Sequence, residues 1–207
     1  GHGTGAGSRE RLSRLLRFAS TRDDQPAQEV SLADYVGRMK PGQDKIYYIT
    51  AESFAAAQHS PHLEIMRNKG IEVLLMCDPI DEWVTGHLDA FDGKALQSVA
   101  KGDLDLGELG GKDEKEQQRH AAESYRPLLQ RLQDALGDQV KEVRISHRLT
   151  RSPSCLVVEE GDMAVSLQKL LKAAGHKVPG LHPVLEINPD HPLVLRLREA
   201  GDDPQLA

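Results

Sequence analysis

Three carboxylates, Asp78, Asp81 and Glu82, fall close together after an apolar stretch. In that spacing they could hold a magnesium ion, since hard cations are bound by several oxygen ligands. A structural role competes with this. Asp78 can cap a helix, Pro79 suits the first helical position, and acids in the first turn complement the positive helix end. All three acids stand where capping preferences put them, so capping is the reading the spacing favours. The alternative is an independent nucleotide- or metal-dependent α/β enzyme centred on Asp78, Asp81 and Glu82. Against it, no glycine-rich phosphate loop follows either apolar stretch, 45–50 or 71–76, and Gly70 lies on the wrong side of the second.

Other chemistry-bearing residues are dispersed. His59 and His62 are three apart at a helix start, and His182 and His191 flank a short apolar run. Both pairs read as surface or loop histidines, not metal ligands. Ser146-His147 has no nucleophile-elbow context. Lys40, Lys45, Arg148 and Arg151 form no basic stripe, the net charge is -6, and aromatic residues make up 4% of the chain. These features argue against binding to nucleic acid or to an anionic membrane. Cys77 and Cys155 stand far apart, without metal-ligand spacing or a disulfide framework, so a reducing, cytoplasmic compartment is expected. No apolar run approaches the roughly 18 residues of a membrane span.

The elements that must position these residues follow from periodicity. Residues 71–76, IEVLLM, form an uninterrupted apolar run that reads as a strand buried on both faces and central in its sheet. Trp83, the only tryptophan, lies in the helix that follows. Residues 45–50 and 95–99 supply two more strands, with helices at 31–38, 60–69 and around Trp83 between and beside them. A small three-layer α/β unit with a largely parallel sheet is expected over 31–111. Ser31 and Asp34 make a capping-box pattern. Residues 10–19 read as a helix and 21–29, with Pro26, as a loop. Residues 1–7, GHGTGAG, have no apolar pattern and are expected to lie outside the fold as a terminal remnant.

After a glycine-rich acidic stretch at 102–113, residues 112–136 read as one long helix. Strands at 140–145, 155–158 and 184–187 and helices at 162–174 and 192–200 complete an α+β unit over 112–207. In the 162–174 helix, Met163, Leu167, Leu170 and Ala174 share a face that Val165 and Leu171 widen. Periodicity alone favours a core-facing helix. The alternative is an exposed apolar surface for other proteins. Trp83 has the same two readings, core aromatic or contact residue.

Several long stretches together resemble one family: RLSRLLRF (11–18), SLADYVGRMKPGQDKIYYIT (31–50), GIEVLLMCDPIDEW (70–83), FDGKALQSV (91–99), HRLTRSPSCLV (147–157) and LEINPDHPLV (185–194). They are similar, in order and spacing, to the bacterial branch of the heat-shock protein 90 chaperones. The resemblance implies the end of a larger middle subdomain (8–30), the small α/β middle subdomain (31–111) and most of a C-terminal domain (112–207). The family's ATP-binding domain, with its ATP and magnesium, would then lie outside this chain, as would the helices of its homodimer interface. No enzymatic activity or cofactor of the chain's own is expected, and a monomer or weak dimer is. The resemblance further implies that unfolded or partly folded client proteins contact Glu82 and Trp83 on one side and Met163, Leu167, Leu170 and Leu171 on the other. The chain departs from the family pattern at Gly86, which replaces a polar residue, and where leucines replace a Met and a Phe. With the resemblance, exposure of the Met163 stripe becomes the favoured expectation.

Overall fold

The computed structural model describes residues 4–163, 165–178, 180 and 182–202. Helix α1 (Thr4–Leu15) leads into a hairpin of β1 (Phe18–Ser20) and β2 (Gln25–Val30). There follow α2 (Leu32–Gly37), β3 (Lys45–Thr50), α3 (Phe54–Gln58), α4 (Glu64–Asn68), β4 (Leu74–Met76), α5 (Asp81–His87), β5 (Ala90–Phe91) and β6 (Lys94–Ser98). The six strands form one sheet in the order β2-β1-β4-β3-β6-β5. The β4–β3 and β3–β6 pairs are parallel; β1 joins β4 antiparallel.

The period of two explains the layers. Ile46 and Tyr48 of β3 and Leu74 and Met76 of β4 face α2, packing with Leu32 and Tyr35. Tyr47, Ile49 and Leu75 point the other way, onto Ala57 of α3, Met66 of α4 and Leu63 just before α4. Both faces are therefore covered, and β4 lies in the interior of the sheet, paired on both sides.

Three expectations need correction here. Residues 8–30 do not stand apart from the small α/β unit, because β1 and β2 complete its sheet. The loop expected at 21–29 contains β2, a solvent-exposed edge strand, where Pro26 costs no ladder bond. The first helix starts at Thr4, inside the stretch expected to lie outside the fold, and ends at Leu15.

A second sheet follows α6 (Lys112–Ser124) and α7 (Arg126–Leu136). The single helix expected over 112–136 breaks at Tyr125 because Pro127 lacks an N–H and its ring opposes a continuous turn. Strands β7 (Glu142–Ile145), β8 (Ser154–Val157) and β9 (Val184–Ile187) pair in the order β7-β9-β8, with helices α8 (Val165–Ala173) and α9 (Pro192–Glu199) beside them. Leu128 of α7 and Val194 of α9 cover one face with Val143, Ile145 and Ile187. The cap of α9 is His191, whose ring accepts from the Leu193 N–H; just before it the Asn188 side chain accepts the Asp190 N–H at 3.1 Å.

Glu186 falls on the opposite face of β9 from Ile187 and is 1% exposed. It receives Arg144 and Arg148, each at 2.9 Å. Arg148, also 1% exposed, reaches on to the carbonyls of Val99 and Gly102 at the end of the first sheet. Glu64, at the start of α4, accepts the backbone N–H groups of Thr150, Arg151 and Ser152. The two sheets are thus joined through polar groups that each side supplies to the other.

Candidate functional site

Each of the three carboxylates is engaged by the fold. Helix α5 has Ile80 at its N-cap with no side-chain bond, so Asp78 and Pro79 do not cap it as expected. Asp78 instead shapes the preceding turn, accepting the Ile80 N–H at 3.0 Å, and Asp81 accepts the Asp78 N–H at 2.9 Å. Burial raises the Asp81 carboxyl above its ordinary value; the Asp78 N–H opposes this and the Asp78 charge adds to it. Glu82 turns away from both, pairing with Lys101 Nζ at 2.7 Å and accepting the Thr50 hydroxyl at 2.7 Å. The carboxylates therefore do not converge, and among the described residues no group of three His, Cys, Asp or Glu could hold a metal ion.

The histidines and Ser146 also serve the fold. His62 lies between the Ser60 hydroxyl and the Leu156 carbonyl, and burial holds it below the ordinary imidazole value. Ser146 donates to Glu186 and accepts the N–H groups of Arg148 and Leu149, leaving no free nucleophile. His147 is half-buried, and its Nδ1 has no hydrogen-bond partner among the described residues.

What remains accessible is apolar. Trp83 is 63% exposed, and its ring packs against His87 with centroids 4.4 Å apart. The helix expected over 162–174 runs from Val165 to Ala173, so Met163, 36% exposed, precedes it and is not part of its stripe; on α8, Leu170 is 52% exposed, while Leu167 and Leu171 are half-buried. The side chains of Ala164, Val165 and Ser166 lie outside the described residues. Among the described side chains of α8 Gln168 is the buried one, its amide donating to the Met163 carbonyl. The periodicity of α8 is that of an amphipathic helix, but among the described residues Leu167, Leu170 and Leu171 belong to none of the core clusters. Leu167 and Leu170 line a cleft of about 170 Å³ with Ala51, Cys77, Pro79 and Glu82, at the carboxyl ends of β3 and β4. The Lys169–Glu52 ion pair, 3.5 Å, links α8 to the segment just after β3 at the surface. Burial raises the Cys77 thiol above its usual value, with the Asp81 charge adding to the rise.

Of the six residues expected to form a contact surface, the structure gathers Glu82, Leu167 and Leu170 around one cleft. Trp83 stands outside it, on the neighbouring position of α5. Glu82 is a partial exception to the expectation, since its side chain is only 10% exposed and engaged in the ion pair. Sequence reading missed Lys101, Arg148 and Glu186. The one available signal was an acid, Glu186, between the apolar Leu185 and Ile187 of a strand.

A family model described as Hsp90 protein matches residues 3–205. Curated bacterial proteins named Chaperone protein HtpG are similar over almost the whole chain. That of Bordetella pertussis is 59% identical over 98% of the chain, that of Nitrosococcus oceani 58% over 96%, and that of Chromobacterium violaceum 57% over 98%. The matches cover 32%, 31% and 32% of those proteins, so the chain spans about a third of their length. With a family match over nearly its full length, this chain belongs to the Hsp90 protein family.

Proposed function

We propose that this chain is the client-binding middle and C-terminal portion of an ATP-dependent chaperone that assists protein folding in the bacterial cytoplasm. The observation that carries the reading is the accessible apolar face of α8 beside its cleft, with exposed Trp83 on α5. Unfolded chains bind such a surface by removing apolar area from water, at about 25 cal/mol per Å². Ordering costs consume most of that gain, so each contact is weak and exchangeable, as a chaperone needs. The naming of the relatives as chaperones supports the same reading.

On this reading the chain has a middle-domain portion, built on the six-stranded sheet, and a C-terminal portion, built on the three-stranded one. On the same reading, ATP, magnesium and a stable homodimer are matters for a longer chaperone and not for this chain. The chain itself binds partly folded proteins, hydrolyses no ATP and associates weakly.

The test is binding of a permanently unfolded, carboxymethylated protein to Leu170→Glu and Trp83→Arg variants, followed by fluorescence anisotropy. Both should weaken binding while melting like the parent, because a charge placed on an exposed position changes stability by only about 0.5 kcal/mol. Unchanged binding by both variants defeats the site.

A further inference from the structure

We propose that Glu82 and Lys101 are a positioning pair that fixes Trp83 relative to the apolar face of α8. The inference rests on the client-binding reading above and assigns Glu82 a different part in it: support for the contact surface and not contact. The Glu82 side chain is 10% exposed and that of Lys101 15%, which leaves little of either for a large partner to touch. Glu82 is nevertheless the immediate neighbour of Trp83 on α5, and both its oxygens are held, one by Lys101 Nζ and one by the Thr50 hydroxyl, each at 2.7 Å. A carboxylate held by an ion pair and a charge-assisted hydrogen bond resists rotation of the helix that carries it.

Lys101 lies in residues 99–102, which the second sheet also grips. Arg148 donates to the Val99 carbonyl at 2.6 Å and to the Gly102 carbonyl, and Glu186 holds Arg148 in place. The Gly102 N–H donates to Val158 at 2.8 Å, where Lys101 and Val158 form a parallel bridge at the end of β8. Gly102 has φ +59°, and a Cβ there would lie 3.3 Å from the Glu160 side chain, so glycine is needed for this close approach. Helix α8 lies against the same group: Leu167 and Leu170 line the cleft with Glu82 and Thr50, and Lys169 pairs with Glu52 at 3.5 Å. Trp83 and α8 are therefore both placed about Glu82, which Lys101 ties to residues 99–102. Linked sites give avidity only when both are reached at once. A pair that sets their spacing acts on partners long enough to span them and not on partners that reach one.

The experiment measures affinity of the whole chain for two probes: the carboxymethylated protein, and a short apolar peptide able to cover only one patch. Lys101→Met should weaken the long probe about tenfold, a fraction of the avidity that linked sites supply, and leave the peptide unchanged. It should also shift the emission of Trp83, the sole tryptophan. Lys101→Arg should retain the parent behaviour, and the double reversal Glu82→Lys with Lys101→Glu should recover it. If Lys101→Met does not fold, Thr50→Val, which removes the second bond to Glu82, carries the same expectation with a smaller loss. Equal weakening of both probes, or parental affinity for the long probe, overturns the inference. Leu170→Glu keeps the two ideas separable: no effect on either probe sinks the client-binding reading itself, whereas an effect there with none from Lys101→Met sinks the positioning pair alone.

Discussion

Arg148 has five donors and no acceptor, and it is almost fully withdrawn from water, so its environment must supply anions and carbonyls. Glu186, Val99 and Gly102 do so. Buried charges of this kind gain little over apolar packing, and after Arg148→Met Glu186 keeps Arg144 while the Val99 and Gly102 carbonyls lose their donor. Arg148→Met should therefore cost about 1.5–3 kcal/mol in urea denaturation, the range for hydrogen bonds to a charged group, and a loss below about 1 kcal/mol would show that Arg144 alone satisfies Glu186. The imidazole of His62 gives a pH dependence of definite sign. Burial is the main cause of its lowered value, only partly offset by the Leu156 carbonyl, and His147 is lowered by burial as well. In the unfolded chain both take a proton near about pH 6.5, while in the fold they stay neutral to lower pH. Stability from these groups is thus present above about pH 6.5 and lost as pH falls below it towards the folded values. The urea midpoint should drop between pH 7.5 and 5.5, and His62→Gln should flatten that drop. A parental slope in the variant would assign it elsewhere.

At the scale of elements, α2 is specified by its own sequence. Ser31 accepts the Asp34 N–H at 3.0 Å, and Asp34 accepts the Ser31 N–H at 3.2 Å, so the capping box legible in the sequence is formed. Ser31→Ala should cost about 1 kcal/mol, read as a lowered melting temperature. Strands β3 and β9 were equally legible, because runs of β-branched and aliphatic residues bounded by turns have few other solutions; of the strand expected at 71–76 only Leu74–Met76 pairs as β4. β1 was not: Phe18, Ala19 and Ser20 extend a helical apolar period, and only pairing with β4, more than fifty residues on, makes them a strand. The exposure of α8 was hidden for a related reason. An amphipathic stripe has the same period whether a core or a passing chain covers it. Only the resemblance, not the period, pointed outward. The role of Glu82 was hidden by distance, since nothing local marks Lys101 as its partner.

The whole molecule is held together by contacts of long sequence separation between its two sheets, and these decide whether it unfolds as one body. Besides Arg148, the junction depends on Glu64. Its carboxylate accepts the N–H groups of Thr150, Arg151 and Ser152 and the Ser152 hydroxyl, while the Ile65 N–H donates to the Arg148 carbonyl. Burial alone would raise the Glu64 carboxyl, but those donors outweigh it and hold it below its ordinary value. Stability from Glu64 is therefore present above the unfolded value of about 4.3 and is lost as pH falls through the lower folded one. Glu64→Ala at neutral pH should cost about 1.5–3 kcal/mol, the range for hydrogen bonds to a charged group, and that loss falls on the junction. Each sheet has its own apolar clusters, so neither core is opened by the change. The two parts should then melt apart. Trp83 fluorescence reports only the six-stranded part, and far-ultraviolet circular dichroism reports both. In the parent the two urea transitions should coincide, as all-or-none unfolding requires. In Glu64→Ala they should separate, and coincident transitions in that variant would show that the junction does not depend on this carboxylate.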